Sequence, residues 1–210
     1  MAKIIVFSNQ KGGTGKSTMC IQFANYLSAK GESVAVLDSD PQQSIHHLRQ
    51  RELQTNPDVT PSWQVWQLAG QSNVKAIMEK AKTMEGWILI DCPGTINDKN
   101  LLPIFEASDA AIIPFRYDDF VVDSTISFVK VLKQRSNAKI FFLPNIIDIR
   151  VKMPNEETIK TMFRKVGYIL PRIKQGVAIQ RLSTLIAQDE YQRKAVMFTI
   201  EDFLANFQKL

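Results

Sequence analysis

Ten residues near the start of the chain, 9 to 18, read Asn-Gln-Lys-Gly-Gly-Thr-Gly-Lys-Ser-Thr, and their types and spacing suit the binding of phosphates. Gly12, Gly13 and Gly15 let the backbone curl until successive N–H groups converge on one anion. Lys16 offers an ammonium to the outer phosphates of a nucleotide and Ser17 offers a hydroxyl to Mg2+. Thr14 and Thr18 complete the set of candidate phosphate-loop residues. An apolar run precedes the loop and a helical pattern follows it, so the helix N-terminus adds partial positive charge. The general pattern G-x-x-x-x-G-K-[ST] is not met, because Gln10 stands where its first glycine should be. A second lysine, Lys11, stands next to it. A Gly-rich turn into a helix would use some of the same residues, but Lys-Gly-Gly-x-Gly-Lys-Ser arises by chance with odds on the order of 10⁻⁴ in a chain of this size.

Two further segments carry carboxylates where such a loop would need them. Ile88-Leu-Ile-Asp91 is an apolar strand delivering one aspartate, followed by Cys92, Pro93 and Gly94. A hard cation takes oxygen ligands, which makes Asp91 a metal candidate. Gly94 can bring a backbone N–H to a terminal phosphate and shift when that phosphate leaves. The string Asp38-Ser-Asp40-Pro-Gln-Gln-Ser44 follows another apolar run, at the strand end where open α/β sheets bind ligands. Asp, Ser and Pro also make capped strand-to-helix turns, so this segment read alone leaves both uses open.

The loop with its extra lysine resembles the deviant phosphate loop of the ParA/MinD family of P-loop ATPases. The Asp38–Ser44 string is similar to the D-x-D-P-Q segment of the ParA branch. The resemblance runs from Met1 to about Ile173, with three motifs in family order. It implies ATP and Mg2+ as ligands and a homodimer in the ATP state, with Lys11 reaching across a nucleotide sandwich to the partner's phosphates. It implies that Asp40 positions the attacking water and that Asp38 sits near the Mg2+ shell, with Ser17 and Asp91. Lys11, Lys16 and Asp40 are then the catalytic candidates. It also places Asn145, after the strand Ile140–Leu143, at the adenine edge, although Pro-Asn is common turn chemistry too. The chain looks like the short ParA type, with no helical extension ahead of Met1.

The elements that must position these residues are legible. Continuous apolar runs at 4–7, 34–37, 87–90, 110–113, 140–143 and 168–170 have the pattern of strands covered on both faces. Helical patterns lie between them: 17–30 with Gly31 as a left-handed stop, 120–134, and 156–166 with Asn155 as N-cap. The stretch 51–71 is the least legible and allows a short strand at 63–68 before a helix at 73–82. Strands alternating with helices predict a doubly wound, mostly parallel α/β sheet in a single domain over 1–210. A last helix, with Phe203, Leu204, Phe207 and Leu210 on one stripe, is expected to start at the cap-like Thr199–Asp202 and dock on the core.

Composition narrows the function. The 210 residues are 45% apolar and 22% charged, which excludes a disordered or low-complexity chain. The apolar runs fall short of the ~20 residues of a membrane span. Cys20 and Cys92 are too far apart for a C-x-x-C pair, and no signal segment opens the chain, so a cytoplasmic setting is expected. The same cysteine placement argues against an iron–sulfur carrier. Adjacent His46 and His47 lack the i, i+4 spacing of a metal pair. Cys92 reads as a packing residue. Net charge is +5, yet residues 150–181 alone hold eight cations and two anions. Lys152, Lys160, Arg164, Lys165, Arg172 and Lys174 are therefore candidates for contact with nonspecific double-stranded DNA, the alternative being a solvated helical face. With the resemblance, this implies a nucleoid-associated partition ATPase, weak alone and stimulated by a ParB-like partner, maintaining a plasmid or mobile element. A MinD-like membrane positioner is the competing expectation. The C-terminal stripe argues against it, because Glu201 and Asp202 beside a single lysine would repel an anionic surface.

Overall fold

The computed structural model describes residues 1–95, 98–151 and 153–209. In chain order the elements are β1 (Lys3–Phe7), α1 (Lys16–Ala29), β2 (Val34–Asp38), α2 (Ser44–Thr55), β3 (Gln64–Gln67), α3 (Val74–Lys82), β4 (Trp87–Asp91) and α4 (Leu101–Ala107). They continue as β5 (Ala110–Phe115), α5 (Asp119–Arg135), β6 (Lys139–Pro144), α6 (Glu156–Arg164), β7 (Tyr168–Ile169), α7 (Val177–Gln180) and α8 (Glu190–Phe207). Lys152 and Leu210, both named above, lie outside the described residues.

One seven-stranded sheet runs in the order β3-β2-β4-β1-β5-β6-β7, with every pairing parallel. The expected doubly wound α/β architecture is therefore present, with helices on both faces. Chain order reverses around β1, so the crevice beyond the carboxyl ends of β1, β4 and β2 is where such a sheet binds ligands. Register sharpens this: Asp91 pairs with Phe7 on one side and with Asp38 on the other. The end of the strand that launches the phosphate loop thus lies beside two carboxylates.

Alternating side chains of the buried strands feed two cores. Ile4, Val6, Ile88 and Ile90 pack toward α3, α4 and α5, while Ile5, Phe7, Leu89 and Phe141 pack toward α1 and α8. On the second face, Phe203 of α8 lies 5.6 Å from Phe23 and 4.8 Å from Phe141, both edge-on. The C-terminal helix is docked on the core, as its stripe predicts. Its start is not where the sequence puts it. Asp189 and Gln192 form a reciprocal capping box ten residues earlier, and Thr199 sits inside the helix, its hydroxyl donating to the Pro171 carbonyl at 3.0 Å.

The other expectations fare unevenly. Gly31 has φ 81, the left-handed conformation predicted for the stop after α1. Asn73 caps α3 by accepting the Ala76 N–H at 3.1 Å. Asn155 precedes α6 as expected, but its side chain makes no capping bond.

Candidate nucleotide site

The loop between β1 and α1 is held from below. Asn9 is fully buried, and its amide donates to the Pro114 carbonyl and the Thr125 hydroxyl, each at 2.9 Å. Its own carbonyl oxygen accepts the Lys11 N–H at 3.2 Å. The entry to the loop is thereby tied to β5 and α5. The Lys11 carbonyl in turn accepts from the Thr14 hydroxyl at 3.4 Å and from the Lys16 ammonium at 3.5 Å. Lys16 is buried, whereas the Lys11 side chain is exposed. Gly15 has φ 89, and a Cβ there would lie 2.4 Å from the Asn145 amide nitrogen, so only glycine fits. Met19 bonds back to Gly15, and α1 starts without a side-chain cap. Its first N–H groups are left to an anion.

A cleft of about 550 Å³ opens over this loop. Gly12, Gly13, Gly15, Lys16, Ser17 and Thr18 form its floor, and Asp40 and Gly94 stand on its walls. A Cβ on Gly94 would sit 3.6 Å from the Lys16 ammonium and 3.7 Å from the Gly12 nitrogen, which puts its backbone directly beside the loop. Asp40 accepts the Gln42 N–H at 2.9 Å, fixing the turn that leads to α2.

Asp38 and Asp91 are both fully buried. One Asp38 oxygen accepts the Ile45 and His46 N–H groups, each at 3.0 Å, so it caps α2 from a neighbouring strand. The capped turn is thus present and uses one carboxylate oxygen, which leaves the second oxygen available to a ligand. The other Asp38 oxygen and both Asp91 carboxylate oxygens have no hydrogen-bond partner among the described residues. Burial pushes Asp91 up to about 7, with the Ser17 hydroxyl and the Lys16 ammonium opposing the rise and Asp38 adding to it. Burial also raises Asp38, against the two N–H donors of α2. Three buried carboxylate oxygens without donors fit a divalent cation, and Ser17, Asp38 and Asp91 are the residues that would hold Mg2+.

That unrelieved burial has a measurable effect on stability. Between about pH 4 and pH 7 the folded state keeps a proton on Asp91 that the unfolded chain has lost, so stability falls as pH rises through this window and then levels off. Asp91→Asn is expected to stabilise the nucleotide-free protein at pH 8 by at least about 1 kcal/mol, or ~2–4 °C in Tm at this length, with the gain shrinking toward pH 4. A melting-temperature difference that is the same at every pH would contradict this origin.

A second, smaller pocket of about 260 Å³ lies between the loop and the segment 174–182, lined by Gly15, Thr18, Asn145, Ile146, Ile179 and Leu182 among others, and it contains the residue expected at the base edge. Asn145 is buried; its amide donates to the Thr14 carbonyl at 2.8 Å, and its oxygen has no partner among the described residues. It can still accept a hydrogen bond from a ligand. Ile146 beside it has φ 56, a conformation β-branched residues rarely adopt. Strain of this kind gathers at ligand sites, and no pattern in the residue order signals it. The roles of Asn9 and Ser39 were also missed. Ser39 donates to the Asp91 backbone carbonyl through its hydroxyl, at 2.8 Å, and through its N–H, at 3.0 Å. The cysteines behave as packing residues: Cys20 and Cys92 are buried, and burial drives both thiols up, Cys92 to about 12.

Three residues of the basic stretch, Lys160, Arg164 and Arg172, line one cleft of about 280 Å³, but ion pairs already engage two of them. Lys160 pairs with Glu156 at 2.6 Å and Glu157 at 2.7 Å, and Arg172 pairs with the same Glu156 at 2.5 Å. Lys174 lines the pocket of about 260 Å³ beside Asn145 instead. Arg164 and Lys165, at the end of α6, are exposed and make no ion pair among the described residues. No helix among the described residues is long and apolar enough to cross a membrane.

A parallel sheet with a glycine loop and lysine under a helix N-terminus, facing two buried aspartates, defines a P-loop nucleotide-binding ATPase. Residues 5–207 match the family model described as the CobQ/CobB/MinD/ParA nucleotide binding domain, and the chain belongs to that family. It is 25% identical to the sporulation initiation inhibitor protein Soj of Bacillus subtilis, over 94% of this chain and 96% of that protein. Its fold is similar to the crystal structure of a plasmid partition protein of Borrelia burgdorferi B31 bound to AMPPNP (TM-score 0.76, 19% identity, 98% and 99% of the two chains). It is also similar to the Pyrococcus furiosus cell division ATPase MinD (TM-score 0.72, 20% identity, 98% and 100%).

Proposed function

We propose that this ATPase works as a ParA-type partition switch: with ATP and Mg2+ two copies close around two nucleotides, the dimer holds nonspecific DNA, and a ParB-like partner triggers hydrolysis and release. The carrying observation is the split role of Lys11. Its backbone is part of the phosphate cradle, bonded to Asn9, Thr14 and Lys16, while its ammonium stands exposed rather than folded onto its own loop. A cation mounted rigidly at the rim suits a nucleotide held by a second copy. The same end of the sheet exposes Phe120 and Ile149, 80% and 63% accessible, apolar area that a second copy would cover.

In the assembled site, Lys16 and the α1 N-terminus hold the phosphates, and Asp40 orients a water in line with the terminal phosphorus. The water oxygen bonds to phosphorus as the bond to the bridging oxygen breaks. ADP leaves with the electron pair, and the water protons pass to phosphate and solvent. Charge spreads over the phosphate oxygens as this happens, and Lys16 together with the second copy's residue 11 stabilises it. Mg2+, held by Ser17, Asp38 and Asp91, would supply neutralisation of that charge. Hydrolysis is slow in a lone copy because one of the two ammonium groups is missing.

Among the basic residues, Arg164 and Lys165 support the DNA reading most directly, since each is exposed and unpaired among the described residues. Membrane positioning is disfavoured by the burial of Phe203 in the core and by the packing of the partly buried Phe207 against it, 5.8 Å from Trp87.

One titration separates these readings: the protein with ATP, ADP or no nucleotide, on random duplex DNA and on anionic vesicles, at several salt concentrations. Binding to DNA that requires ATP and weakens steeply with salt is expected. Lys11→Ala is expected to keep ATP affinity within about threefold of wild type but to lose ATP-dependent dimers in sedimentation, and with them DNA retention. Vesicle binding alone would replace partition by membrane positioning. Rapid ATP turnover by a monomer would remove the in-trans role of Lys11.

A further inference from the structure

The pocket beside Asn145 has one wall with little structure of its own. Residues 174–182 contain only the four-residue α7, yet Ile179, Gln180 and Leu182 face Gly15, Thr18 and Asn145 across the pocket. The two residues just beyond this wall, Ser183 and Thr184, are bolted down. Thr184 is fully buried. Arg49 of α2 donates to its hydroxyl at 2.8 Å through Nε and to its carbonyl at 2.7 Å through a terminal nitrogen. Glu52, one turn on, accepts the Thr184 N–H at 2.8 Å and also its hydroxyl. From α1, the Asn25 amide donates to the Ser183 carbonyl at 2.9 Å.

Arg49 is an unusual residue to find at such a joint. It is 4% exposed, its third donor goes to the Trp63 carbonyl at 3.0 Å, and its guanidinium lies 4.4 Å over the Trp63 ring. Among the described residues no carboxylate bonds to it directly, and burial lowers its pKa to about 10. A buried guanidinium whose three nitrogens each donate to a carbonyl or a hydroxyl fixes geometry, because its planar fork has little slack. The Ser183–Thr184 joint is held from α2 by Arg49 and from α1 by Asn25, the two helices that start at the phosphate machinery, α1 at Gly15 and α2 at the Asp38 cap and the Asp40 turn.

We propose that Arg49, through Thr184, is a positioning residue that holds the base-side wall of the nucleotide pocket at a fixed distance from the phosphate loop. The inference rests on the nucleotide reading above and adds a division of labour to it: the loop grips phosphates, and the Arg49–Thr184 joint sets the grip on the nucleoside.

The test compares ATP with inorganic tripolyphosphate, each with Mg2+, by calorimetry on the wild type, Arg49→Met and Thr184→Val. Wild type is expected to bind ATP more tightly than tripolyphosphate. Arg49→Met should lose about tenfold or more in ATP affinity, with tripolyphosphate affinity held within about twofold. KM for ATP should rise in step while kcat stays put. Thr184→Val keeps the backbone carbonyl bond and should show the same split at smaller size; if Arg49→Met does not fold, this variant decides. Equal losses for ATP and tripolyphosphate would mean general loosening and would overturn the proposal, as would no loss in either variant. A wild type that binds ATP no better than tripolyphosphate would overturn it as well. A wild type that binds neither would instead take down the nucleotide reading itself.

Discussion

Lys16→Ala is expected to abolish nucleotide binding, with ATP affinity falling about a hundredfold or more. The effect should be this large because three contributions are lost together. The ammonium is buried in the loop, 3.5 Å from the Lys11 carbonyl and beside Gly94, so it is desolvated before any phosphate arrives and gains fully from one. It is also the cation that opposes protonation of Asp91, so its loss pushes that carboxylate further toward its neutral form and weakens the candidate Mg2+ site. Finally, the Thr14 hydroxyl and Lys16 share the Lys11 carbonyl, so the loop loses one of its internal ties. Isothermal titration with ATP and Mg2+ measures the outcome, with circular dichroism to confirm folding. A folded variant that still binds within threefold of wild type would mean that the loop does not hold the phosphates.

The second large effect is expected from Asp40→Ala, in the opposite part of the cycle. Binding of ATP should survive, because the phosphates rest on the loop and α1, while hydrolysis drops about 10²–10⁴-fold as the water loses its orienting carboxylate. The structural cost should be small. Asp40 sits in a half-exposed turn; among the described residues its side chain accepts one hydrogen bond, from the Gln42 N–H, which solvent can replace, and the backbone bond from Gln43 survives the substitution. The ATP-bound dimer should therefore accumulate and stay on DNA. Phosphate release in the presence of DNA and stimulating partner checks the rate, and sedimentation checks the trapped dimer. Unchanged hydrolysis would remove Asp40 from the mechanism.

The phosphate loop and the strands were readable in the sequence for physical reasons. Strands buried on both faces must be apolar throughout, so 4–7, 87–90 and 140–143 stood out, and a loop that wraps an anion must concentrate glycines in a short space. Helix α2 was missed because only Ile45 and Arg49 of its twelve residues are buried and because its cap, Asp38, lies on another element. Thr199–Asp202 looked like a helix start because capping residues also occur mid-helix, where Thr199 serves Pro171 instead. The link between Asn9 and Thr125 spans 116 positions, and no local pattern encodes it. Charge counting had a similar limit. Two anions against eight cations made a basic stretch, but Glu156 is placed to satisfy both Lys160 and Arg172, and that is a property of the fold.

The placement of β4 between β1 and β2 has a consequence for how the chain matures. On a ribosome the phosphate loop and the Asp38–Asp40 turn are made early, but their strands are not neighbours. In the folded sheet they lie two strand spacings apart, about 9 to 10 Å, with β4 in the slot between them. The loop and the turn can therefore be locked side by side only once β4, which ends at residue 91, is available to pair with both strands. The rest of the site arrives later still, since Gly94, the Pro114 and Thr125 anchors of Asn9, and Asn145 all follow β4 in the chain, so a pocket begun in the first forty residues is finished only by the second half of the sequence.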